Sequence, residues 1–108
     1  MATKVTDFYY QVSPTETITF TISGPDDPRV FLDNTTLSVV SGTSFDVTPQ
    51  MLNGIGAVHF LRCILLFAAG PGSYSFSVDG SGGNIDSFTI PGPSNGSFSQ
   101  VVINIEVA

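Results

Sequence analysis

The decisive stretch is Thr17-Ile18-Thr19-Phe20-Thr21-Ile22, in which polar and apolar residues alternate, and Ser73-Tyr74-Ser75-Phe76-Ser77-Val78 repeats the pattern later in the chain. Successive side chains of a strand point to opposite faces, so this period of two separates the apolar side chains from the hydroxyls. Repeated strands of this kind predict an antiparallel sheet protein with one buried and one solvated face per sheet. The predicted fold class is therefore all-β.

Further short stretches show a similar pattern, and Gly, Pro, Asn and Ser residues separate them. The spacing of roughly ten residues predicts an antiparallel β-sandwich of two sheets with about seven to nine strands. A chain of 108 residues has the size of one domain, so residues 1–108 are predicted to share a single core. The predicted strands are Val5–Val12, Glu16–Ser23, Arg29–Asp33, Thr35–Val40, Ser44–Thr48, Ile55–Ala69, Gly72–Asp79, Ile85–Ile90 and Phe98–Val107.

The rhythm of strands and turns resembles that of immunoglobulin-like and jelly-roll-like binding modules. The resemblance concerns this rhythm alone, because the Cys-Trp-Cys framework of immunoglobulin domains is absent. It implies a sandwich fold and carries no functional residue over to this chain.

The charge balance excludes several classes of partner. Three Lys and Arg residues against nine Asp and Glu give a net charge of −6, so the chain is not expected to bind nucleic acid or an anionic membrane. The single cysteine allows no internal disulfide. No signal peptide is visible, so cytosolic synthesis is the default expectation, and the sequence does not identify the final compartment.

The segment Ile55–Ala69 breaks the alternation, and residues 63–69 are apolar without interruption. Such a run fits a covered strand, a strand that forms an interface, or a short buried helix, and we favour a strand bent near Gly56. If one of its faces is uncovered, that face is expected to bind a second copy of the chain, whereas a covered central strand needs no partner. The predicted interface residues are Leu61, Arg62, Leu65 and Phe67.

Arg62 is the unusual residue of this segment. An unpaired buried cation is strongly destabilising, so its guanidinium must reach water, a carboxylate or another subunit. The candidate carboxylates within the chain are Asp46, Asp86 and Glu106.

Two acidic clusters are candidate binding sites. Asp26, Asp27 and Asp33 form the first, which is predicted to bind carbohydrate because carboxylates accept hydrogen bonds from sugar hydroxyls; a solvated loop is the alternative. The second consists of Asp79, Asn84 and Asp86 around a glycine-rich loop. Its oxygens suit calcium, which takes roughly six to eight such ligands, whereas the alternative is a hairpin tip that needs no metal. No other cofactor is predicted.

A catalytic role would depend on His59, the only histidine. On a strand, His59 and Cys63 would be roughly 13 Å apart, which is too far for a thiolate–imidazole pair. A small hydrolase is therefore the least favoured function.

The sequence as a whole predicts a non-enzymatic binding module that forms a homo-oligomer. It is expected to recognise carbohydrate or another polar surface through the loops Gly24–Pro28, Gly80–Asn84 and Pro91–Gly96. The alternative is a structural subunit of a larger assembly such as a shell, tail or fibre, in which the segment Ile55–Ala69 and the edge strands make the contacts.

Overall fold

The computed structural model describes residues 1–67, 72–92 and 98–108, and within these ranges the chain forms ten β-strands and no helix. The all-β prediction is confirmed. The end of the predicted strand Ile55–Ala69 and most of the loop Pro91–Gly96 lie outside the described residues. The strands are β1 (Thr3–Thr6), β2 (Tyr9–Val12), β3 (Ile18–Ser23), β4 (Arg29–Leu32), β5 (Thr35–Leu37), β6 (Ser44–Val47), β7 (Val58–Leu66), β8 (Ser73–Gly80), β9 (Gly83–Pro91) and β10 (Phe98–Val107).

The strands form two sheets. The six-stranded sheet has the order β1-β2-β10-β7-β4-β5, and the four-stranded sheet has the order β6-β3-β8-β9. The prediction of purely antiparallel sheets is wrong for the larger sheet, because β2 and β10 pair in parallel, with Tyr9 opposite Asn104 and Val12 opposite Val107. Alternation shows which side chains are buried and gives no information about the direction of a neighbouring strand.

The predicted first strand, Val5–Val12, is a hairpin made of β1 and β2, which brings the strand count to ten. The chain turns at Asp7 and Phe8, and Phe8 has a φ of 59°, in the left-handed region that is unfavourable for a bulky residue. The Phe8 ring packs edge-on against Phe88 with 5.0 Å between ring centroids. This contact between the layers offsets part of the conformational cost.

The strand β7 occupies the middle of the predicted segment Ile55–Ala69. It begins at Val58, after Gly56, which adopts a φ of 84° and donates from its amide to the Val107 carbonyl at 2.7 Å. The helical alternative is excluded for residues 58–66, which pair with β10 on one side and with β4 on the other.

Apolar side chains from both sheets form one core, as the alternation predicts. The inward residues of β3 and β10 are buried, and β8, which pairs with β3 in the smaller sheet, also contributes buried side chains. Aromatic rings join the layers, since Tyr10 packs edge-on against Phe20, and Phe67 against Tyr74. The largest fully buried side chains include Tyr10, Phe20, Phe67 and Tyr74.

The hydroxyls of two buried tyrosines donate hydrogen bonds to groups elsewhere in the fold. The Tyr10 hydroxyl donates to Asp86 Oδ2 at 2.6 Å, and this links the two sheets at one side of the molecule. The Tyr74 hydroxyl lies 2.7 Å from the Leu66 carbonyl and 3.0 Å from that of Asp26, which fixes the loop before β4. Burial raises the pKa of both phenols, so both remain neutral donors at physiological pH.

Candidate functional site

Three of the four predicted interface residues are buried in the core. Leu61 and Leu65 point into the core with no exposed surface, and so does Phe67 just beyond the strand. Of the four predicted interface residues, only Arg62 lies on the outer face. The uninterrupted apolar run had no alternation from which the direction of each side chain could be read.

The outer face of β7 is itself apolar, and β10 extends it. The exposed fractions are 52% for Phe60, 63% for Phe98, 39% for Val102 and 37% for Val58. The ladder sets Phe98 opposite Leu66 and Val102 opposite Arg62, so these side chains form one patch on the two central strands of the larger sheet. We call this patch the apolar face; its apolar members are Val58, Phe60, Ile64, Leu66, Phe98 and Val102.

Arg62 lies over the ring of Phe31 on β4, with 4.8 Å between the guanidinium carbon and the ring centroid. This stacking explains how the Arg62 cation is accommodated in an apolar segment. The aromatic face attracts the guanidinium, and the polar edge of the guanidinium stays in a surface cleft. The cleft has a volume of about 300 Å³ and is lined by Phe31, Asp33, Asn34, Phe60, Arg62 and Val102.

The carboxylates expected to pair with Arg62 have other partners. Asp46 accepts from the Thr19 hydroxyl at 2.8 Å on the other sheet, and Asp86 binds the Tyr10 hydroxyl and the Lys4 ammonium. Glu106 accepts from the side-chain amide of Gln11 at 3.0 Å. Among the described residues, no carboxylate forms an ion pair with Arg62.

Asp33 and His59 form a pair beside the cleft. Asp33 Oδ2 lies 2.5 Å from His59 Nδ1, and Asp33 Oδ1 accepts from the Phe60 amide at 2.9 Å. The His59 Nε2 atom is buried and has no hydrogen-bond partner in the described part of the chain. This arrangement holds the turn between β4 and β5 against β7.

The first predicted acidic cluster is not brought together. Asp27 precedes β4 and accepts from the Ser41 amide at 2.9 Å, whereas Asp33 follows β4. The four residues of β4 separate the two carboxylates by roughly 13 Å of extended chain. Asp26 and Asp27 therefore lie before β4, and Asp33 lies after it.

The second predicted cluster is a hairpin tip whose polar groups bind each other. Asn84 donates to Asp79 Oδ1 at 3.0 Å and to the Asp86 carbonyl at 3.1 Å, and only Ser81 and Gly82 separate the strands. The Asp86 carboxylate points away toward Tyr10. In the ranges that the structure describes, no three His, Cys, Asp or Glu side chains are grouped as metal ligands.

The outer face of the four-stranded sheet carries a row of hydroxyl groups that is not evident from the sequence pattern. The ladders set Thr21 opposite Ser44 and Ser77, and Ser77 opposite Ser87, so hydroxyls form a row across all four strands. This hydroxyl face contains a shallow cleft of about 390 Å³. The polar residues that line the cleft are Thr21, Ser23, Ser75, Ser77, Ser87 and Thr89.

The comparisons with known proteins give no assignment. No protein-family model matches the chain, and neither the curated proteins nor the solved structures include a significant match. In the part of the chain with described structure, no helix has the length and apolarity needed to cross a bilayer.

Proposed function

We propose that the chain is a non-enzymatic binding protein that associates with itself through the apolar face. The observation that supports this most strongly is the exposure of Phe60, Val102 and Phe98 on the two central strands of the larger sheet. We further propose that the two sheets form a β-sandwich of the immunoglobulin-like or jelly-roll-like type. The edge-on packing of Tyr10 against Phe20 between the layers supports this assignment.

The physical argument concerns β7, which is largely apolar on both faces. Strands with this composition are typical of sheets that are covered on both sides. The core covers the inner face, and the outer face of Phe60 and Val58 remains exposed to water in the described chain. Removing apolar surface from water yields about 25 cal/mol per Å², so a second protein surface on this patch is favourable.

Self-association is tested by sedimentation velocity over a range of protein concentrations. The wild-type chain is expected to form a dimer or larger species, and Phe60→Ser is expected to weaken the association by about 10-fold or more, because a central aromatic anchor is lost. Ile55→Ser is the matched control, since Ile55 is 76% exposed and is not part of the apolar face. A wild-type chain that remains monomeric at millimolar concentration would contradict the proposal.

The same experiment separates a closed dimer from a structural subunit. An interface that uses the same patch on both copies closes after two chains, whereas contacts between different patches continue into rings or filaments. A single dimeric species supports the binding protein, and open-ended growth supports the subunit of a shell, tail or fibre.

The hydroxyl face supports a second candidate function, the recognition of carbohydrate or another neutral polar surface. Ser and Thr hydroxyls both donate and accept hydrogen bonds, as sugar hydroxyls do. Thr21, Ser77 and Ser87 lie side by side and have no charged residue between them in the ladder. This differs from the predicted mode of binding, which used the loops.

A glycan array tests this candidate. The chain is expected to bind neutral glycans equally well with and without calcium, and Ser77→Val is expected to weaken that binding by about 10-fold, because the central hydroxyl of the row is removed. Ser99→Val on the other sheet is the control. Binding that depends on calcium, or no binding at all, would contradict this function.

A further inference from the structure

Two charges of opposite sign lie on the outer face of the larger sheet, Arg62 on β7 and Glu106 on β10. Neither forms an ion pair with any residue of the described ranges, and Glu106 accepts one hydrogen bond at Oε1, from the side-chain amide of Gln11 at 3.0 Å. They cannot meet within one chain, because the register places Arg62 opposite Val102, four residues from Glu106. Four residues of an extended strand span roughly 13 Å.

The register allows a two-fold axis to bring Arg62 of one copy and Glu106 of a second copy to the same level along the strands. Phe60 lies opposite Asn104; Glu106 is two residues from that level in one direction, and Arg62 is two residues from it in the other. A two-fold axis that runs across the strands at the level of Phe60 exchanges these two levels. In a face-to-face pair of sheets, Glu106 of one copy then lies at the level of Arg62 of the other, about 4.8 Å to the side.

We propose that a second copy of the chain docks on the apolar face about this axis, with Glu106 of each copy bound to Arg62 of the other. The inference rests on the self-association proposed above and specifies its geometry. In this arrangement the Phe60 rings of the two copies face each other at the centre, and the two ion pairs flank them. The ring of Phe31 beneath Arg62 leaves the polar edge of the guanidinium available to a carboxylate.

Charge complementarity favours this orientation over a two-fold axis parallel to the strands. An axis parallel to the strands, between β7 and β10, would place the Arg62 residues of the two copies beside each other. It would do the same with the two Glu106 residues. Like charges at such distances are unfavourable. The axis across the strands replaces both repulsions with attractions, which matters for a chain with a net charge of −6.

The surface can seat one copy of the chain. The neighbouring strands β2, β10, β7 and β4 present a face roughly 19 Å wide, which is roughly 30 Å long along β7 and β10 and shorter along the four-residue strands β2 and β4. Its flat area is below roughly 570 Å², which corresponds to a smaller interface than the standard one of about 800 Å² per partner.

Charge reversal tests the pairing by sedimentation velocity on the full chain. Arg62→Glu and Glu106→Arg are each expected to weaken dimerisation by about 10-fold or more, and the double variant is expected to return to within about 3-fold of the wild type. Asp46→Arg, on the outer face of the other sheet, is the control and should leave dimerisation unchanged. Failure of the double variant to recover would overturn the proposed pairing.

The outcomes separate this inference from the proposed function. If the wild type dimerises and Phe60→Ser disrupts the dimer while neither reversal has an effect, self-association stands and the two-fold pairing is wrong. If the wild type is monomeric, both proposals fail. Far-ultraviolet circular dichroism verifies that each variant folds. For a charge reversal that does not fold, Arg62→Gln or Glu106→Gln replaces it in the same sedimentation experiment. Unchanged dimerisation of these variants would count against the pairing.

Discussion

Replacement of Leu61 with alanine is expected to lower the free energy of unfolding by about 3 kcal/mol. Leu61 is fully buried on the inner face of β7, and removing a buried leucine side chain costs the transfer free energy of its methyl groups and leaves a cavity. Urea denaturation at low protein concentration measures the change.

The neighbouring residue supplies the control for this prediction. Phe60 points outward and is 52% exposed, so Phe60→Ala is expected to change the unfolding free energy of the monomer by less than about 1 kcal/mol. An equal loss of stability in both variants, or a larger loss for Phe60→Ala, would show that the assignment of the two faces of β7 is wrong.

Replacement of Glu16 with glutamine is expected to lower the free energy of unfolding by roughly 2 to 3 kcal/mol at pH 7. The Glu16 side chain is buried, and Ser81 donates to Oε2 from its amide at 2.9 Å and from its hydroxyl at 2.6 Å. Burial by itself would raise the pKa of Glu16, but these hydrogen bonds and backbone amides outweigh it and lower the pKa to about 2. The ionised carboxylate therefore stabilises the folded chain.

The pH dependence of this effect follows from its sign. The pKa of Glu16 is lower in the folded state than its ordinary value of 4.5, so the unfolded chain binds more protons between these values. The stabilisation is complete above about pH 5 and is lost as the pH falls toward 2. Urea denaturation of both chains across this range should show the difference between wild type and Glu16→Gln shrinking with acidification.

A control and a contrary outcome complete the test. Asp7 has a side chain that is 84% exposed, so Asp7→Asn should change stability by less than about 0.5 kcal/mol at any of these pH values. If the difference between wild type and Glu16→Gln were the same at pH 7 and pH 2, the loss would come from packing and not from the charge.

Strict alternation allowed much of the core to be predicted from the sequence. Phe20, Ile22, Phe76 and Ile103 all occupy the buried positions that the period of two assigns to them. The same rule failed on β7, because an apolar residue at every position is compatible with either face. The sequence therefore predicts Leu61 and Leu65 at an interface, whereas both are buried in the core and their neighbours Phe60, Arg62 and Ile64 lie on the outer face.

Features that depend on long-range pairing could not be predicted from local patterns. The alternation places the hydroxyls of Thr21, Ser77 and Ser87 outward, but only the ladder order brings them into one row. The turn at Phe8 contains neither glycine nor asparagine at the left-handed position, so it carries no sequence signal. A contact with Phe88 from the other sheet accompanies this conformation.

The parallel pairing of β2 with β10 has a consequence for the response of the chain to mechanical tension. β2 lies near one terminus and β10 near the other, and their pairs run from Tyr9–Asn104 to Val12–Val107. A force that pulls the chain before β2 against the chain after β10 draws the two strands along each other. The hydrogen bonds of this ladder are then loaded in shear and break together, a geometry that resists extension better than one in which bonds open one at a time.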